Sequence, residues 1–340
     1  MSFKLKVCFC FILAVFIIGS NSLYAQYKTD SIQHLPEVII TEKTGDRELR
    51  SSTPMQTLTR ESLQNLNALQ LSDALKHLTG VTVKDYGGIG GLKTISVRGL
   101  GASHTGVHYN GIAVSDVQTG QIDIGRFSLD NIENISLHSG QSDQIFMPAK
   151  AFSNASYLNI NTIKPQFNSN DNPINGKLSI KTGSLGLFNP SIATNIKLSD
   201  KLIATANAEW LSANGKYPYT LFYGQAGIDS SSVEKRENSD VQNLRLEAAL
   251  FAQISKLTKG DIRVYYYESE RGLPGATIFY NTKSFSKQRL WDKTFFAQAH
   301  FEHEFSTEWT LQADAKYNRG YLRYLDPTYL GESGKVEDIF

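Results

Sequence analysis

Few side chains in this 340-residue chain are spaced for covalent chemistry. His300 and His303 stand three apart. In an alternating strand, that spacing puts them on opposite faces, which rules out a shared metal. Cys8 and Cys10 are the only cysteines, and both lie in an apolar leader. The chain that follows it has no means of disulfide, thiolate-metal or cysteine-nucleophile chemistry. There is no phosphate-cradling glycine loop ending in Lys-Ser/Thr and no serine elbow, so no enzyme is expected. What remains is recognition. Leu35 to Thr41, LPEVIIT, is an extended segment able to add a strand to a partner's sheet edge; the same residues would also serve as the first strand of the domain that follows. Arg98 sits in the apolar run TISVRG and needs a partner if buried.

These residues need elements to hold them. Around Arg98, TVKDY and TISVRG alternate with period two and flank Gly87, Gly88, Gly90 and Gly91, which predicts a hairpin with a glycine-rich tip. Upstream, Leu69, Leu71, Ala74, Leu75 and Leu78 follow helical spacing, with Gly80 as a stop. PMQTLTRESLQNL predicts a strand and then a helix capped by Thr59 or Ser62. Asn110-Gly111 in GVHYNGIAV is a hairpin signal, and IENISLHSG and SYLNINT are two further short strands. Together they make an α+β domain over residues 42–165.

The texture changes beyond Lys164-Pro165. From residue 176 the chain runs in stretches of about ten residues with apolar and polar faces alternating. Leu244, Leu246, Ala248 and Leu250 oppose Asn243, Arg245 and Glu247, and Phe295, Ala297, Ala299 and Phe301 oppose Thr294, Gln298 and His300. Connections alternate short and long: tight at 198–201, 255–260 and 306–308, long at 213–240 and 271–290. This is the pattern of antiparallel transmembrane β-barrel strands; a soluble sandwich would bury the same apolar face. About seven strands are expected, ending at Tyr324 before a polar tail. A plugged barrel has about 22 strands, so the expectation is the N-terminal part of a larger barrel. The leader itself, with Lys4 and Lys6 before the apolar Val7–Ile18 and Leu23-Tyr24-Ala25 as cleavage site, is a secretory signal over 1–25. Net charge is +1 with no basic cluster, so nucleic acid is excluded as a partner.

The helix–LTGV–strand–VRG string, with ISVRGLGASHTGVHYNGIAV and SLDNIENISLHSGQ, resembles the plug domain of TonB-dependent outer-membrane receptors. The likeness departs at SDQIFMPAKAFSNASYLNINT, which keeps only the family's Asn159-Ile160 ending. The resemblance implies a Gram-negative outer-membrane receptor for energy-coupled uptake of a bulky, scarce nutrient. It makes Glu37, Val38, Ile39, Ile40 and Thr41, within an extension over 26–41, the segment bound by a TonB-like periplasmic coupling protein. It gives Arg98 the role of locking plug to barrel wall. Substrate would meet the plug apices, Tyr86, Gly87, Gly88, Ile89, Gly90, Gly91 and Leu92 in one and Asp116, Val117, Gln118 and Thr119 in the other, where glycine lets backbone approach a ligand. Phe279 and Tyr280 would add outer-loop contacts.

The order of VRGLGASHTGVHYNGIAV and SDVQTGQIDI is most similar to the cobalamin-receptor branch, which implies a corrinoid ligand. It also implies calcium on Asp229, Glu234, Glu237 and Asp240, outer-membrane lipid around the strands and a surface lipoprotein as a further partner. A ferric-siderophore or haem receptor is the alternative within the family; a non-transporting surface-binding protein or a truncated fragment is the alternative outside it.

Overall fold

The computed structural model describes residues 51, 53–114, 121–140, 146–167, 172–223, 230–275, 287–327 and 336–339. The leader and Glu37–Thr41 lie outside these residues.

The first half builds a small α+β unit. Strand β1 (Met55–Thr59) runs into helix α1 (Arg60–Asn65), where the Thr59 hydroxyl accepts from the Ser62 amide as N-cap. Helix α2 (Leu71–Leu75) buries Leu71, Ala74 and Leu75 completely. Gly80 then turns the chain at φ +76°, a left-handed conformation that favours glycine. The expected hairpin follows as β2 (Val81–Asp85) and β3 (Lys93–Val97), paired antiparallel. Next come β4 (Thr105–Tyr109) and β5 (Ile112–Val114), turned by Asn110 and Gly111 at φ +53° and +83°. Strand β6 (Ile132–Ser139), helix α3 (Ala149–Phe152) and β7 (Ser156–Thr162) complete the unit. The larger sheet has the order β1-β6-β7-β4-β5 and is antiparallel except for β4 with β7. Its core holds Val107, Tyr109, Ile135, Leu137, Leu158 and Ile160 under α2 and β3.

The second half is a wall. Strands β8 (Ile174–Gly183), β9 (Leu187–Ser199) and β10 (Leu202–Ala213) form a meander. A separate hairpin follows, β11 (Pro218–Tyr223) with β12 (Ser230–Lys235). The meander resumes with β13 (Val241–Ser255), β14 (Thr258–Gly272), β15 (Arg289–Glu304), β16 (Thr310–Asp326) and β17 (Val336–Ile339). The sheet has eight strands, all antiparallel to their neighbours. Sequence alternation predicts seven. The eighth is the four-residue Val336–Ile339, which pairs with Arg323–Asp326; four residues in a polar tail are too few to show a period.

The wall is inverted relative to a soluble sheet. Arg245, Glu247 and Arg263 are buried against the plug, while Leu246, Leu250, Ile262 and Phe295 stand exposed on the other face. An apolar face turned out along the long strands of the wall, with charge turned in, suits lipid outside and a polar interior. It is the reverse of a soluble sandwich.

Candidate functional site

At the long-loop end of the wall, the β2–β3 hairpin tip meets the bases of the outer loops. The tip is fastened from below. Lys93, nearly fully buried, sends its ammonium to Asp85 Oδ2 at 2.7 Å and to the Gly88 carbonyl. Burial pushes the Asp85 carboxyl up, but Lys93 and the amides of Gly87 and Gly88 outweigh it and hold Asp85 below its usual range. From the wall, Arg271 Nη1 donates to the Gly90 carbonyl at 2.9 Å and stands 3.6 Å from Asp123 Oδ2. Asp123 Oδ1 accepts from the amides of Lys93 and Gly125. Above this floor lies a cavity of about 280 Å³. Tyr86, Leu92 and the backbone of Gly87, Gly90 and Gly91 of the tip, Leu273 and Pro274 of the second long loop, and Leu290 and Leu322 of the wall line it, with Gln121, Asp123, Arg126, Ser239, Arg271 and Asp292 as the polar set.

The glycines of the tip do something other than expected. A Cβ on Gly90 would fall 2.6 Å from Val241 Cβ, and one on Gly91 would fall 2.3 Å from the Gly87 amide nitrogen. Two of the four bare positions therefore let the tip fold on itself and press on the wall. Gly88, at φ +69° with open space around it, is exposed. Ile89 packs on the cluster of Leu187, Leu211, Ala213 and Val241, so it faces the wall as well.

Deeper down, the plug sits on the wall through charge. Arg126 Nη2 meets Asp292 Oδ2 at 2.8 Å and its Nη1 meets Thr294 Oγ1 at 3.0 Å. Arg245 donates to the carbonyls of Gly125 and Arg126, both at 2.7 Å. Glu247 accepts from Tyr109 OH at 2.8 Å, from Asn131 Nδ2 at 3.0 Å and from Arg263. Tyr109 also packs on Phe127, Tyr265 and Phe296. Asp130 takes Lys181 at 2.9 Å and Ser191 Oγ at 2.7 Å. Burial raises the Asp130 carboxyl, yet those two donors prevail and its affinity for a proton is lowered.

Arg98 is not among these contacts. It lies one residue beyond β3, exposed, at φ +52°, with its amide bonded to the Gly80 carbonyl. Among the described residues it makes no ion pair with the wall. The strand ends a residue earlier than the apolar pattern suggests, and the turn swings the guanidinium into solvent. The plug arginine that pairs with the wall is Arg126, the last residue of the 3-10 turn Ile124–Arg126, which is too short to show a period in sequence. Its wall partners were legible only as the polar half of the alternation. Of the expected calcium set, the described members Glu234, Glu237 and Asp240 do not converge. Arg289 Nη1 holds both Asp240 oxygens at 2.8 Å, and Glu234 accepts from its neighbour Ser232. Among the described residues, no three acidic or histidine side chains converge on a metal position. The guanidinium already occupies the carboxylate oxygens that Asp240 would have offered an ion. Asp229, Asp116, Val117, Gln118, Thr119, Phe279 and Tyr280 lie outside the described residues.

Residues 47–150 match the family model of the TonB-dependent receptor plug domain. The chain carries a receptor plug. The fold of plug and wall together is similar to that of the ferric enterobactin receptor PfeA of Pseudomonas aeruginosa, at TM-score 0.56 and 14% identity over 85% of this chain and 45% of that one. It is similar also to the ferric-catecholate import receptor Fiu of E. coli K12, at TM-score 0.53 and 17% identity over 80% and 39%. A third similar structure is the alcaligin outer-membrane receptor FauA of Bordetella pertussis, at TM-score 0.57 and 11% identity over 84% and 42%. The chain thus spans less than half the length of each. At these identities the likeness is one of fold. A receptor plug before amphipathic wall strands is an outer-membrane arrangement, and the chain is an outer-membrane protein of the Gram-negative kind.

Proposed function

We propose that this chain supplies the plug and first wall strands of a TonB-dependent receptor that imports a bulky metal chelate. The observation that carries the reading is the cavity between hairpin tip and loop bases. Its floor belongs to the plug and its sides to the wall, so an occupant touches both at once. A ligand there would bear on the Gly90–Arg271 and Lys93–Gly88 contacts that hold the tip.

The domain organisation goes with this reading: leader 1–25, coupling extension 26–41, plug 42–165 and wall from 176. In the extension, Glu37 to Thr41 would pair with the coupling protein as an added strand. Pulling on it would loosen the plug from the wall and open a path. Iron chelates are favoured by the similar structures, which are named for ferric enterobactin, ferric catecholate and alcaligin. The corrinoid reading rests on the order of VRGLGASHTGVHYNGIAV and SDVQTGQIDI.

Deletion of Glu37 to Thr41 tests the proposal. In cells, uptake of the bound chelate should fall to background while binding to isolated outer membranes stays within about twofold. Unchanged uptake would remove the coupling role. Lost binding would remove the division between coupling segment and ligand site.

A further inference from the structure

The charge arrangement of the cavity points to its ligand class, an inference that rests on the receptor reading above. Every cation at the floor already has a carboxylate of its own. Lys93 is held by Asp85, Arg126 by Asp292 at 2.8 Å, and Arg271 stands 3.6 Å from Asp123. The next cation outward, Arg289, is shared by Asp240 and Glu270 at 2.8 Å each. The charged groups that line the cavity itself are Arg126 and Arg271 with Asp292 and Asp123, two cations for two carboxylates. Lys93, Arg126 and Arg271 are themselves buried, so their positive charge is spent on these partners rather than offered to the cavity. The rest of the lining is the apolar set Tyr86, Leu92, Leu273, Pro274, Leu290 and Leu322, with the uncharged Gln121 and Ser239 and glycine backbone between them.

We infer that the site takes a bulky chelate without net charge and disfavours a multiply anionic one. A trianionic ferric tris-catecholate would bring three negative charges to a lining whose two cations, Arg126 and Arg271, already have carboxylate partners. It would lose hydration without a compensating ion pair. A ferric tris-hydroxamate, in which three monoanionic ligands neutralise the iron, meets no such penalty. Neither does an electroneutral corrinoid. Apolar walls with a few paired polar groups suit both. Discrimination then comes from what the site withholds as much as from what it offers.

The test is a titration of the full chain in detergent, followed by quenching of tryptophan fluorescence. Three probes are used: a neutral ferric tris-hydroxamate, cyanocobalamin, and a trianionic ferric tris-catecholate. At least one neutral probe should bind about tenfold or more tightly than the trianion. Its Kd should change little between low and high salt, since no net charge is neutralised. Which neutral probe binds separates iron from corrinoid. Asp292→Asn, which removes the carboxylate beside Arg126, should raise trianion affinity several-fold relative to that of the neutral probe; Asp123→Asn tests the same shift through Arg271 if the first variant folds poorly. Tightest binding of the trianion, weakening as salt rises, would overturn the inference and leave the receptor standing. If no probe binds, the receptor reading fails and the inference with it.

Discussion

Glu247 is the residue on which plug and wall depend most directly. One carboxylate accepts from Tyr109 and Asn131 of the plug and from Arg263 of the wall. Glu247→Gln removes the charge that compensates buried Arg263 and should cost on the order of 3–5 kcal/mol, read as a fall in unfolding free energy in detergent. Gly90 is a packing position. Gly90→Ala sets a methyl against Val241 and should cost about 1–3 kcal/mol. Val241→Ala in the same chain should restore most of that loss, and failure to do so would mean the tip does not rest on this strand. Asp130 carries a pH dependence with a definite sign. Its carboxyl is held below the ordinary value of 3.8 in the folded protein. Its stabilisation is therefore fully present above that value and is lost as pH falls through the lowered one. Thermal unfolding of wild type and Asp130→Asn should differ at neutral pH and converge in acid below 3.8.

Among elements, the wall strands show how one pattern serves two solvents. Along β13, Asn243, Arg245 and Glu247 turn to the plug, and Leu244, Leu246 and Leu250 turn away. Leu250→Arg places a charge on the lipid face and should cost about 2–4 kcal/mol if that position is near the midplane, measured by unfolding in bilayer vesicles. The same change at a soluble surface would be nearly neutral, so a null result would remove the lipid assignment for this face. The outer loops are tied at their bases. Asn238, at φ +53°, donates to the carbonyls of Leu273 and Gln288, and Arg289 joins Asp240 to Glu270. Acidic residues that looked available in sequence are the struts of this joint.

At the scale of the whole molecule, local patterns were legible and convergences were not. Period-two alternation marks Leu244–Leu250 as two-faced because side chains on a strand must alternate. Asn110-Gly111 marks a turn because both residues tolerate positive φ. Those rules act over a few residues, and they determined the α+β unit, the order of the long strands and the placing of short and long connections. What only the tertiary structure decided is which groups meet. Arg126 and Asp292 lie 166 positions apart, and no local rule relates them. Arg98, inside a run that looked buried, turns out to solvent because the strand stops at Val97. Gly90 and Gly91 meet the wall and their own loop while Gly88 stands open, since a missing Cβ says only that something can approach, not what. The short strand Val336–Ile339 exists because β16 offers it an edge. Backbone preference is a property of neighbours in sequence, whereas charge pairing, packing against the wall and the neutrality of the cavity arise from neighbours in space.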